Sequence, residues 1–405
     1  MNFELVDERE RYKAKIKVVG IGGAGGNAIN NMIASKLRGV NFAALNTDCQ
    51  DLDRSLCSHK IQLGPSITMG LGSGADPEIG KLSAEESISE IREVIDEYDM
   101  VFLTAGMGGG TGTGASPVVA RESKENNALT VAVVTKPFKF EGDRRMKRAI
   151  EGIQQLRNEA DTLIVIPNER LKSLGGRNAT FKNLIAQADE VLLQAVKGIS
   201  DLIISNGFIN LDFADVKKVM GQMGTAIMGT GRASGENRAS EAAEKAINSP
   251  LLEDISISGA KGLLMNITGP SDMTMDEIDE ASSYIKEEVH PDAEIFWGVV
   301  LDDGMEGEVQ VTIIATGIDS GDYAKSHSFG NVVKIRKMSP DEAQEDWVVR
   351  RTEKNLDIPT WKRDGVDLMA SEDEDGTRQS KRDIPARYHL SDELDYPTFL
   401  RALDD

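Results

Sequence analysis

Residues 106–117 read GMGGGTGTGASP, with five glycines in the first seven positions and two threonines among the glycines that follow. Glycine in such density gives up conformational entropy on folding. Close approach of a ligand to bare backbone is the usual return. Successive N–H groups can converge on an anion, a following helix start adds its positive end, and Thr111 and Thr113 add hydroxyls. A second stretch, GIGGAGGNA at 20–28, matches Gly-x-Gly-x-x-Gly at Gly20, Gly22 and Gly25. Alone it admits a dinucleotide, a mononucleotide or a tight turn, and Asp48 stands where a ribose-binding acid would. An NAD-dependent oxidoreductase is therefore one reading. Two glycine loops in one sheet suggest a longer phosphate chain gripped from two sides. The Walker A ending is missing, since GSGADPEIGKL at 72–82 has the wrong spacing. The favoured chemistry is a nucleoside-triphosphate site outside the P-loop class. A third set of groups lies far along the chain, in NLDFADV at 210–216. Asp212 and Asp215 are one helical turn apart and can share a face, although a cap also explains Asp212.

These loops need elements to hold them. Near-continuous apolar runs at 15–22, 40–48, 99–106, 129–137 and 161–168 read as strands of a parallel sheet buried on both faces. Helical segments at 77–97, 115–127 and 143–160 alternate with them, the rhythm of a doubly wound α/β domain whose ligand loops gather at the C-terminal edge of the sheet. A wide apolar stripe (Leu184, Ala188, Val191, Leu192, Ala195, Val196, Ile199, Ile203) predicts one long buried helix over 180–205. A second unit at about 222–318 shows strands in GLLMNITG, AEIFWGVVLD and EVQVTIIATG, with helices at 235–248 and 274–289. The expected division is a flexible arm at 1–14, a nucleotide domain at 15–178, a central helix and acidic loop at 179–221, and a C-terminal α/β domain at 222–318. Residues 319–393 are expected to form a polar, disordered linker, and 394–405 a terminal peptide. LDIPTWKR at 356–363 is echoed by LDYPTFLR at 394–401, which suggests a repeated docking motif.

GGGTGTG at 108–114 resembles the signature of the tubulin/FtsZ family of GTPases. TKPFKFEG (135–142), IPNERL (166–171), NLDFADV and the terminal LDYPTFLR are similar to its bacterial cell-division branch, from about Ile16 to Gly317 and again at the tail. The resemblance implies a Rossmann-like GTPase domain, a long central helix, a second α+β domain and a disordered tail. It implies GTP and GDP as ligands, with Mg²⁺, whose ligands it leaves open. Gly22, Gly23, Ala24, Gly25, Gly26 and Asn27 would form the first nucleotide loop. Gly108, Gly109, Gly110, Thr111, Gly112 and Thr113 would cradle phosphates, and Gly72, Ser73 and Gly74 would sense the γ-phosphate. Asp48 would sit near the phosphates and Mg²⁺. Glu141 and Arg145 would contact the ribose and nearby groups, and Asn168 and Asp189 the base. Ile185 stands where the family often has a base-stacking aromatic. Asn210, Asp212 and Asp215 would complete the site of the next subunit, so that head-to-tail polymerisation and hydrolysis are one event. A filament scaffold that has lost hydrolysis is the other alternative.

Charge and composition limit the partners. A net charge of −21, with one short basic cluster at 143–148, argues against nucleic acid and against charge-driven lipid binding. Two cysteines and four scattered histidines give no disulfide framework and little support for zinc. No apolar run has the length of a signal core or a membrane span. Composition alone makes a cytoplasmic setting the expectation; the resemblance implies a mid-cell division ring, with the terminal peptide docking on membrane-attached adaptor proteins rather than inserting itself.

Overall fold

The computed structural model describes residues 14–174, 180–204, 209, 211–221, 224–252 and 257–318. In chain order the elements are β1 (Ile16–Ile21), α1 (Gly22–Ala34), β2 (Val40–Asn46), α2 (Cys49–Arg54), β3 (Lys60–Gln62), α3 (Pro65–Thr68), α4 (Pro77–Glu86), α5 (Ile88–Ile95), β4 (Met100–Gly106), α6 (Thr111–Glu125) and β5 (Leu129–Lys136). There follow α7 (Asp143–Glu159), β6 (Thr162–Pro167), α8 (Asn168–Leu174), α9 (Phe181–Ile204), α10 (Phe213–Met220), β7 (Gly224–Ser234), α11 (Arg238–Ile247), β8 (Gly262–Gly269), α12 (Met275–Glu288), β9 (Glu294–Leu301) and β10 (Glu308–Ile318). The arm, the linker and both copies of the repeated tail motif lie outside the described residues.

The strands form one ten-stranded sheet in the order β3-β2-β1-β4-β5-β6-β7-β10-β8-β9. From β3 to β7 every pairing is parallel, while β10 runs antiparallel to both β7 and β8. Both faces of the parallel half are buried, and so its strands are apolar throughout. In β1, Ile16 and Val18 face the core under α1 and α9, whereas Val19 and Ile21 face the core under α5 and α6. A third core lies around β8, β10, α11 and α12. Parallel pairing places the C-terminal ends of β1, β2, β4, β5 and β6 on a single edge of the sheet.

The outline agrees with the α/β reading; besides the short added strand β3, three differences stand out. The expected helix at 77–97 is two helices, broken at Ser87, whose hydroxyl accepts from Gly64 N at 3.1 Å and donates to Gln62 O at 3.4 Å. The expected start at residue 115 moves back to Thr111, so half of the glycine-threonine stretch is helix. The strand β7 is an addition. Its glycines dilute the apolar pattern, yet a Cβ at Gly229 or Gly231 would run into the backbone of α11, which packs directly on the strand.

Candidate functional site

The glycine stretches meet at the C-terminal edge. Gly22 to Asn27 occupy the first two turns of α1, immediately after β1. Gly22, Gly23, Gly26 and Asn27 line a cleft with Asn46 and Asp51. Residues 108–110 lead into α6, and 71–76 close over them from the side. A hydroxyl network ties the pieces together: Thr47 Oγ1 lies 2.6 Å from Thr111 Oγ1, which lies 3.1 Å from Ser73 Oγ. Thr113 Oγ1 accepts from Gly108 N at 2.8 Å, so this hydroxyl holds the loop beneath the ligand edge. Asp48 caps α2, accepting from Gln50 N at 2.9 Å.

The glycines fall into two groups by what a side chain would meet. At Gly25 a Cβ would strike the Thr104 carbonyl; at Gly110, the Ser73 hydroxyl and the Asp76 backbone; at Gly112, Gly106 O at 2.7 Å. These residues let the loops touch one another. Gly26 and Gly109 have neither a neighbour within 4 Å nor a positive φ. Neither protein contacts nor backbone geometry calls for glycine there, whereas an approaching ligand would. Gly72 and Gly74 (φ 85° and 60°) need glycine for their backbone; Gly74 also faces open space, while a Cβ at Gly72 would touch the Asp48 side chain at 3.8 Å.

Further along the same edge lie the groups expected at ribose and base. Glu141 accepts from Phe138 N at 2.7 Å and pairs with Arg145 at 3.1 Å, and the Arg145 backbone covers Gly108. Asn168 opens α8 directly after β6. It is buried, and its Oδ1 has no hydrogen-bond partner among the described residues. Such an orphan is costly unless a partner arrives. Asp189 projects from α9, which packs on α8, and burial pushes its carboxyl up to about 6. A half-buried carboxylate on α9 and an orphaned amide oxygen on the adjacent α8 are acceptors of the kind that suits a ring N–H and an exocyclic amine, the donor pair that guanine has and adenine lacks. Ile185 lies one turn before Asp189 and leaves an aliphatic face beside it.

The acids of 210–216 are elsewhere. Asp212 caps α10, its Oδ1 accepting from Asp215 N at 2.8 Å, and Asn210 lies outside the described residues. Leu211 N donates to Leu202 O near the end of α9, thirteen residues beyond Asp189, or about 20 Å along the helix axis. The Thr162 hydroxyl, at the start of β6, donates to Met220 O at the end of α10, and Gly224 pairs with Thr162. Asp212 and Asp215 therefore stand at the opposite edge of the sheet from the glycines. Sequence reasoning missed Asp51 and Thr47, and took in Asp76 only as the end of LGSGAD at 71–76, without its cap. Asp51 had a readable signal, one helical turn after Asp48, and so did the cap at Asp76, which accepts from Glu78 N two residues on and precedes Pro77 at the helix start. The hydroxyl pairing of Thr47 with Thr111 depends on tertiary approach.

Comparison with known proteins fits this geometry. Residues 15–176 match the GTPase domain of the tubulin/FtsZ family, and 224–319 the C-terminal domain of the FtsZ family. The cell division protein FtsZ of Rickettsia conorii is 55% identical over 309 residues, covering 76% of this chain and 68% of that protein. The FtsZ of a Wolbachia species is 53% identical over 317 residues, covering 75% and 80%. An empty FtsZ dimer from M. jannaschii superposes with a TM-score of 0.74 at 47% identity, covering 77% and 90% of the two chains. At 23% identity, CetZ1 of Haloferax volcanii shares the fold, with a TM-score of 0.67. With glycine loops, base-side acceptors and both domains in one order along the chain, this protein belongs to the tubulin/FtsZ family and is a GTPase of its cell-division branch.

Proposed function

We propose that this GTPase completes its active site between two copies. One copy binds GTP along the C-terminal edge of its sheet. The next presents Asn210, Asp212 and Asp215 from the opposite edge. The observation that carries this reading is the separation of the acids from the glycines within one chain. With about 20 Å of α9 between Asp189 and the start of the acidic loop, a single copy cannot apply both to one nucleotide. A contact of one edge on the other is heterologous and propagates into a filament.

The parts then have distinct tasks. Backbone N–H groups at Gly23, Gly26 and Gly109, with the positive ends of α1 and α6, cradle the phosphates. The Gly72–Gly74 turn reads the terminal phosphate. Glu141 and Arg145 hold each other and the ribose side, while Asn168 and Asp189 take the base. Mg²⁺ fits this donor set, because it keeps several waters and needs only one or two carboxylates besides phosphate oxygens; Asp48 and Asp51 are the acids at that end. When bound, it neutralises charge on the phosphates. Asp212 and Asp215 of the incoming copy position and polarise the attacking water, chemistry that depends on placement and charge more than on covalent steps. Exposed Met69 and Leu71 (78% and 81%) flank the phosphate edge and would be covered by that copy. No helix among the described residues is long and apolar enough to cross a membrane. The terminal peptide 394–405, tethered by 319–393, would dock filaments on membrane-attached adaptors at the division site, with 356–363 as a weaker second copy.

The test is turnover against protein concentration. Activity per molecule should rise steeply with concentration and vanish on dilution, while nucleotide binding persists. Turnover per molecule that is independent of dilution would place the whole active site in one copy.

A further inference from the structure

Arg148 lies on α7, one turn after Arg145, and is half-buried. Its Nη1 donates to the carbonyl oxygen of Ala75, seventy-three residues earlier in the chain, and its Nε donates to Arg144 O at 3.4 Å. Among the described residues no carboxylate pairs with it. Ala75 is the one non-glycine residue of the 71–76 turn in the left-handed region, at φ 62°, between the positive-φ Gly74 and the α4 cap Asp76. Left-handed backbone is strained for alanine and persists only where the surroundings hold it. At its start the turn is fixed by Gly72 N on Thr47 O at 3.1 Å, and at its end by Asp76 accepting from Glu78 N at 3.0 Å. Between these anchors a cation from another element grips the strained residue's carbonyl. That cation sits on the same helix as Arg145, whose backbone covers the phosphate loop at Gly108.

We infer that Arg148 is a positioning residue: through the Ala75 carbonyl it holds the 71–76 turn in the conformation that receives the terminal phosphate, and so sets the preference for GTP over GDP. This rests on the reading of that turn as the γ-phosphate contact. The residue acts through backbone, so its removal should alter triphosphate binding and leave diphosphate binding nearly intact.

The test measures binding of GDP and of a non-hydrolysable GTP analogue to the full chain, below the concentration at which it assembles. Arg148→Met, which keeps the stem but removes donor and charge, should weaken the analogue about fivefold to tenfold, the net scale of one hydrogen bond, and GDP by less than twofold. Arg148→Lys, which keeps a donor, should retain most of the preference. Adding Ala75→Gly to Arg148→Met should restore it, because glycine needs no partner to hold φ 62°. The inference is overturned if Arg148→Met leaves the ratio unchanged, if both ligands weaken equally, or if Ala75→Gly restores nothing. Gly72→Ala separates the two levels. If it too leaves the ratio unchanged, the γ-phosphate reading of the turn fails; if it shifts the ratio and Arg148→Met does not, only the role of Arg148 fails.

Discussion

Asp189 carries a burial cost that the proposed base contact would turn to use. Its carboxyl, ordinarily at 3.8, is pushed up to about 6 by burial. Its proton uptake should act on the free protein and on the complex with opposite sign. A raised carboxyl favours the folded state fully below pH 3.8 and loses that contribution as pH rises through about 6. Guanine donates two N–H groups and needs the ionised form. Below pH 6 each unit of acidification should therefore weaken GDP binding by about tenfold, with a flat profile above. Calorimetric titration from pH 5 to pH 8 checks this, and Asp189→Asn should bind weakly with the step abolished. An unchanged step in that variant would assign the proton elsewhere. The residue type at 189 was legible only through the surrounding motif. Its desolvation was not, because it comes from the packing of α8 on α9.

Loops and helices show how one residue type serves two ends. The density of glycine was plain in the sequence, but the division of labour among the glycines was not, since it depends on which backbone lies opposite each Cα. Gly114→Ala should drive a Cβ into the Pro77 carbonyl and against Lys81 N at 2.7 Å. Overpacking of that kind costs about 1–3 kcal/mol, and the melting temperature should fall accordingly. Gly109→Ala meets nothing within 4 Å at an unstrained backbone, so the melting temperature of the nucleotide-free protein should hold or rise slightly. Its affinity for GDP should drop at least about tenfold if phosphate approaches there. Thermal melts with and without GDP separate the two variants, and a shared loss of stability would undo the sorting. Elsewhere the periodic elements were readable: the long α9 falls within a residue of its expected ends, and the five apolar strands of the parallel half lie where their runs placed them. The break at Ser87 left no mark because no glycine or proline signals it. The glycine-rich β7 was hidden because α11 supplies the burial that its own side chains do not.

At the scale of the whole molecule, the two edges of the sheet make a prediction that no single-chain active site shares. A variant lacking the acid, Asp212→Ala, should bind GTP and hydrolyse almost none. A variant with a blocked phosphate edge, Gly109→Trp, keeps its own Asp212 and Asp215 and should also be inactive, for want of nucleotide. In the proposed head-to-tail pair the GTP of the first copy would face the acids of the second. The second copy needs no nucleotide of its own to serve that contact. Mixing the two inactive proteins should therefore recover turnover, rising with their product of concentrations and reaching a maximum near equal amounts. The recovered rate should stay below wild type, because only one of the possible pairings is productive and the blocked copy ends each filament. Phosphate release across a series of mixing ratios at fixed total protein checks this. Replacing the blocked partner by one that also carries Asp212→Ala should return the rate to background. Mixtures as inactive as their components would show that the acids act on the nucleotide of their own chain, or not at all.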